Sequence, residues 1–320
     1  MRNFLFSLLI LFSCCCFSCK QKPTENAQAH HPEETNEAWI ARTKVSFKSV
    51  LGIHFTEVYR RFDNGVSFNK QGFQLKPDWK MYFLSDTTFS LYSLIKKRYF
   101  DLPVTLDHDS VFSASGAWFK AKVISKDSLL FQVLYVHNKV IDWKNSNVYV
   151  TFYPEDYIKN VLHTTEEKLR ETTKKDTAFI QALADASARD PKKLFEAQHP
   201  VVLKSTSPNV TVTNAKLKGD KLSNYYVPET LFYPEYSITI HKAYADFYHT
   251  FAVQVDAKGQ MHFVEPMEAA MDEDDQQHTI KIMKGIMDGY LTHYLAVTPG
   301  KTLDIPHDTQ ILLVVRGYKD

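Results

Sequence analysis

A chain of 320 residues with 44% hydrophobic and 23% charged side chains has the composition of a globular protein, with room for one large core or two smaller ones. Its 38 basic and 37 acidic residues nearly cancel, so no bulk field draws in nucleic acid, and no run of five basic residues occurs. All four cysteines, Cys14, Cys15, Cys16 and Cys19, lie at the N-terminus, which excludes a thiolate nucleophile, a thiolate zinc or iron–sulfur site and a disulfide framework from the rest of the chain.

The chain begins with a positive Arg2 and an apolar run from Phe4 to Phe12. That run is far shorter than the roughly 20 residues a membrane span needs, and it has the length of a signal-peptide core. Phe17-Ser18-Cys19-Lys20 follows, with a small residue directly before a cysteine, and it resembles the lipobox of bacterial lipoproteins. The resemblance implies a signal peptide over 1–18, lipid attachment at Cys19 with acyl chains such as palmitate, and a cell-envelope protein anchored to a membrane. Lys20 stands where inner-membrane lipoproteins of the best-studied kind carry aspartate, which points to the outer rather than the inner membrane. Cys16 and Phe17 depart from the usual pattern, and Leu11-Phe12-Ser13-Cys14 fits its first position better, so Cys14 is the alternative acceptor. Residues 20–37 hold no aromatic or β-branched aliphatic side chain, so 19–37 reads as a lipidated cysteine and flexible tether. His30-His31 within it lacks a third metal ligand.

Residues 38–153 are expected to form a β-rich domain. At its start Phe47, Leu51, Phe55, Val58 and Phe62 recur at helical spacing, with Glu57 and Arg61 four apart, which predicts a helix ending at Asp63-Asn64-Gly65. From Phe73 to Tyr153 the period becomes two, as in Trp79, Met81, Phe83 and again in Phe131, Val133, Tyr135. Ser85-Asp86, Asp107-His108-Asp109, Lys126-Asp127-Ser128 and Asn145-Ser146-Asn147 punctuate these runs, and such spacing predicts an antiparallel sandwich or small barrel. Residues 154–199, rich in Ala, Glu and Lys, read as a helical connector.

Residues 200–320 read as an α+β domain, making the whole chain α+β. Tyr236–Ile240, Phe251–Val255 and Gln260–Val264 are predicted strands, the last two joined at Asp256-Ala257-Lys258-Gly259. After the acidic run 272–275, Ile280, Met283, Met287, Tyr290, Leu291 and Tyr294 fall on one face of a long amphipathic helix set on a sheet. Gln310–Arg316 is the closing strand. This order, with Tyr233-Pro234 before it and Thr298-Pro299-Gly300-Lys301 after the helix, resembles the C-terminal domain of TonB-type proteins over about the last 90 residues. It implies a binding module at the envelope with an envelope protein as partner. A lipid anchor stands where the energy-transducing members have a membrane helix.

No residue is assigned a catalytic, cofactor-binding or metal-binding role. The 13 histidines include no HExxH, HxH or His-x₃-His. His241, His249 and His262 lie near one predicted hairpin, where partly exposed structural histidines are the expectation. Asp107-His108-Asp109 is expected to be a turn, and the acidic run 272–275 lacks the glycine and terminal glutamate of an EF-hand loop. No phosphate loop, GxSxG or SxxK frames a reaction. The expected function is a non-catalytic envelope lipoprotein acting as a binding or scaffold module; the alternative is a periplasmic or surface hydrolase of glycan or peptide using carboxylates that the sequence does not pair.

Overall fold

Aromatic and β-branched side chains alternating with polar ones suit a pleated, half-buried surface. In the computed structural model, which describes residues 45–214, 233–267 and 273–319, they form nine strands in the first half of the body. These are β1 (Phe55–Phe62), β2 (Lys80–Ser85), β3 (Thr88–Ser93), β4 (Arg98–Leu106), β5 (Val111–Ala114), β6 (Ala117–Ile124), β7 (Leu129–His137), β8 (Val140–Asp142) and β9 (Val148–Pro154). From β1 to β7 each strand is antiparallel to the next. β7 also pairs with β9, and β9 with β1, so eight strands form a closed circuit, with β8 a short hairpin arm on β7. Closure removes the unpaired edges that an open sheet would expose.

The helix predicted at 45–62 is not there. A single 3₁₀ turn, Lys48–Val50, is followed by Gly52 at φ +71° and then by β1. Phe47 and Val50 are buried at one end of the circuit, whereas Leu51 is exposed, so the helical spacing joined residues of two separate elements. In β1 every residue from Phe55 to Val58 is buried, and a bulge between Glu57 and Tyr59 shifts the register. Burial on both faces erased the period-two signal.

Phenylalanines fill the circuit. The rings of Phe47 and Phe83 stack at 3.8 Å, and Phe47, Phe119 and Phe131 all meet Phe112 at 5.0–5.3 Å. Phe131 continues to Phe152 at 5.8 Å. These contacts place a continuous aromatic cluster inside the circuit.

Three helices follow, α1 (Glu155–Asn160), α2 (Glu166–Leu169) and α3 (Lys174–Ser187). α3 starts on a capping box in which Thr173 and Asp176 exchange hydrogen bonds. Its Ile180 packs with Val66, Phe68 and Phe195, and Leu303 and Ile305 close over that cluster.

The remainder comprises β10 (Val202–Ser205), β11 (Val210–Asn214), β12 (Glu235–His241), β13 (Phe247–Val255), β14 (Met261–Pro266), helix α4 (Glu273–Ile286), β15 (Leu295–Thr298), β16 (Lys301–Thr302), β17 (Ile305–Pro306) and β18 (Thr309–Tyr318). Five of the strands form a sheet in the order β11-β12-β18-β13-β14. β12 and β18 run parallel, and the other pairs are antiparallel. Tyr236, Ile238, Phe251, Val253, Ile311 and Leu313 share a core with Met283, Ile286, Met287 and Leu291. A π-helical turn, Met287–Leu291, follows α4, and beyond it Tyr294 is 40% exposed. The architecture is thus β-rich, with mostly antiparallel sheets and few helices. Among the described residues no helix is long and apolar enough to cross a membrane.

Candidate functional site

Outside its phenylalanine-lined interior, the circuit offers a concave surface. The bulge in β1 sends Glu57 and Arg60 inward, opposite Phe152 and Val150, and leaves Tyr59 and Arg61 opposite Thr151 and Tyr149 on the outer wall. Tyr59, Arg61, Phe62, Leu130, Tyr149 and Thr151 form the floor of a groove of about 700 Å³. Its rim is the turn at Asp63 and Gly65 and the first turn of α3, with Thr173, Lys174 and Lys175.

The rim is held by Asp176. This buried carboxylate accepts hydrogen bonds from the backbone N–H groups of Ser67 (2.7 Å) and Thr173 (2.8 Å), and from their hydroxyls at 2.9 and 2.8 Å. Arg61 adds a contact at 3.1 Å and donates to the Gly65 carbonyl, also at 3.1 Å. Burial pushes the Asp176 carboxyl up, but these donors outweigh it and hold it below the ordinary carboxylate value. The Arg61 guanidinium lies 5.3 Å from the centre of the Tyr59 ring. An aromatic floor beside Arg61, Lys174 and Lys175 suits a flat or apolar group bearing negative charge. The groove contains no assembled nucleophile and base.

A second cleft, of about 540 Å³, is lined by Gly72, Phe73, Gln74, Lys76 and residues 196–200. Gly72 sits at φ +85°, and a Cβ there would overlap the Glu196 carbonyl, so only glycine permits this approach. The Glu196 N–H donates to the Gln71 carbonyl (3.0 Å), and the Gln198 amide to Gln74 (2.8 Å). Burial pushes the Glu196 carboxyl up to about 7. Burial, aided by the Glu196 charge, raises the Tyr236 hydroxyl to about 12, and that hydroxyl donates to the Val201 carbonyl. His307 stacks on Phe195 at 3.7 Å between ring centres, and burial lowers it to about 4. Its Nδ1 faces the Asp308 carbonyl at 3.2 Å and its Nε2 the Thr302 hydroxyl at 3.0 Å, which suits a neutral ring protonated on Nδ1. A carboxyl near 7 suits proton transfer, but the cleft's lining supplies no second carboxylate to work with it.

The residues singled out in the sequence fare differently. Cys19, Cys14, His30-His31 and Asp272 lie outside the described residues. His241 and His249 fall on opposite faces of the five-stranded sheet: His241 aligns with Tyr318, and His249 with the core residue Val315. His262 instead meets Asp256 at 3.4 Å. Among the described residues no group of three or more His, Cys, Asp or Glu could hold a metal. Asp107-His108-Asp109 forms a turn, with the His108 ring 2.9 Å from Asp107 and Asp109 at φ +52°. Glu57 pairs with Arg60, through two contacts of 2.7 Å, and not with Arg61. The spacing gave no hint of Glu196 or His307, which segments distant in sequence bury.

The sequence matches no protein-family model and no curated protein.

Proposed function

We propose that the chain is a non-catalytic lipoprotein of the bacterial cell envelope, tethered through an acylated Cys19, whose body binds an envelope component at its surface. The finer architecture in this reading is a small barrel joined by a helical connector to a sheet with an amphipathic helix on it. One observation carries the binding mode: phenylalanines occupy the interior of the closed circuit, so recognition falls to the outer groove over Tyr59, Leu130 and Tyr149. Its aromatic floor and cationic rim favour a partner that brings an apolar or aromatic group beside a carboxylate or phosphate. The lipobox-like Ser18-Cys19 and the tether after it support the anchoring. A surface module of this kind needs no catalytic group. Among the described residues the Glu196 carboxyl speaks for the hydrolase alternative, and it stands in its cleft without a second acid.

Two measurements test the reading in whole cells. Labelled palmitate should enter the wild type and be lost in Cys19→Ala; labelling that persists in this variant moves the anchor to Cys14. A photo-crosslinking residue at Tyr149 should capture a discrete envelope partner, and Leu130→Arg should abolish that capture without changing protein level. Capture that survives Leu130→Arg would remove the groove from the binding reading.

A further inference from the structure

The hairpin joining β3 to β4 reads Leu94-Ile95-Lys96-Lys97-Arg98, and it is built in an unusual way for a loop facing water. Leu94 is 60% and Ile95 65% exposed, so two branched aliphatic side chains stand at the very tip of a β-hairpin. The tip is well formed. The Lys97 N–H donates to the Ser93 carbonyl (2.7 Å), the Lys96 N–H to the Ser93 hydroxyl (3.2 Å), and Lys97 takes φ +51°. The aliphatic pair is therefore presented by a shaped turn. Three consecutive cations follow it, in a chain whose total charge is only +1. Lys96 and Arg98 lie over the Phe100 ring at 5.4 and 4.5 Å, which collects them beside the tip, and no carboxylate among the described residues pairs with them. Just behind, Tyr92 and Tyr99 face each other across the two strands with ring centres 5.2 Å apart.

Apolar tip, basic collar and tyrosine belt follow the order in which a bilayer changes from hydrocarbon to anionic headgroup to interface. We propose that the 94–98 hairpin tip inserts shallowly into an anionic lipid surface and fixes the orientation of the body on it. The occupant is lipid and not protein, because three adjacent cations that no described carboxylate pairs match a dense anionic plane, and two aliphatic side chains cover too little area for a stable protein interface. The proposal rests on the anchored reading to bring the body to a bilayer.

The absence of cysteine after Cys19 supplies the test. Ile95→Cys in the acylated full chain takes an environment-sensitive thiol dye at the tip, and its exposure shows that the substitution leaves the core untouched. The protein is mixed with vesicles of equal parts phosphatidylethanolamine and phosphatidylglycerol, or of phosphatidylcholine alone. The dye should shift to the blue and resist aqueous iodide on the anionic vesicles only. Lys96→Gln/Lys97→Gln/Arg98→Gln should reduce the shielded fraction roughly tenfold, and high salt should do the same. A dye placed by Asp127→Cys in the β6–β7 turn, at the opposite end of the circuit, should remain in water.

Flotation of the unlabelled wild type reads the anchor independently. Flotation with a tip dye that stays aqueous overturns the insertion and leaves the anchor standing. No flotation with an aqueous dye overturns both. Equal shielding at positions 95 and 127, or equal shielding on phosphatidylcholine, would show unspecific adhesion and overturn the proposal as well.

Discussion

Glu57 and Arg60 place opposite charges inside the phenylalanine-filled circuit, and Arg60 also reaches Asp78 at 3.4 Å. Glu57 is fully buried and also accepts hydrogen bonds from the backbone N–H groups of Asp78 and Trp79, both at 3.1 Å. Removing Arg60 takes the cation from a fully buried carboxylate, whereas replacing both by apolar side chains can be nearly neutral. Arg60→Met should therefore cost about 3–5 kcal/mol in urea denaturation. Glu57→Leu/Arg60→Met should recover much of that loss, and a double variant as unstable as the sum of the singles would refute the coupling. Glu196 and His307 make a second residue-scale prediction, about pH. Glu196 holds its proton up to about 7 when folded, so its contribution falls as pH rises from about 4.5 through 7. His307, held down to about 4, loses stability in the other direction, as pH drops from about 6.5 towards 4. Glu196→Gln should match the wild type near pH 4, surpass it increasingly up to about pH 7 and keep a constant lead above that; a difference independent of pH would mean the carboxylate is not penalised. None of these roles was legible in sequence. Glu57 and Arg61 fit a helical pair, and only the bulge in β1 turns Arg60 inward as the true partner. Glu196 owes its environment to Gly72, more than a hundred residues earlier.

Among the elements, α3 does the most to shape the groove, because its first turn is the rim. It starts on the Thr173–Asp176 capping box, which the composition of the connector did not single out. The sequence does not show that Asp176 also gathers Ser67 and Arg61 from the far side of the groove. Asp176→Ala should cost more than the roughly 1 kcal/mol typical of a lost cap, since the Ser67 donors are stranded too. It should also loosen the Lys174–Lys175 rim and weaken partner capture at Tyr149. A loss no larger than an ordinary cap would show that Ser67 finds water instead. Because the carboxyl is held low, its support is complete above about pH 4 and lost as pH falls further. The C-terminal strands were legible from alternation and turn residues, and β12, β13 and β14 lie within a few residues of their expected places. The parallel pairing of β12 with β18 was not, since periodicity carries no strand direction. Nor was the π-helical turn, which lets Met287 and Leu291 stay buried while Tyr294 turns out to solvent.

For the molecule as a whole, the question is how two separately packed sheets communicate. Phe195 stacks on His307 and packs with Phe68 and Ile180, while Leu303 and Ile305 close the same small cluster from the C-terminal half. The body should therefore melt in one calorimetric transition, and Phe195→Ala should lower it by about 3–5 kcal/mol and split it in two. Two transitions already in the wild type would make 38–199 and 200–320 independent units. The closed circuit has a further consequence, for how the chain is made. Phe55–Phe62 finds its last partner in Val148–Pro154, so one side of the first strand stays unpaired until the ribosome has finished the ninth. Pairings so distant in sequence are slow to form. Under the proposed envelope reading that delay has a use, because a first strand that cannot yet close would keep the chain open for passage across a membrane before it folds.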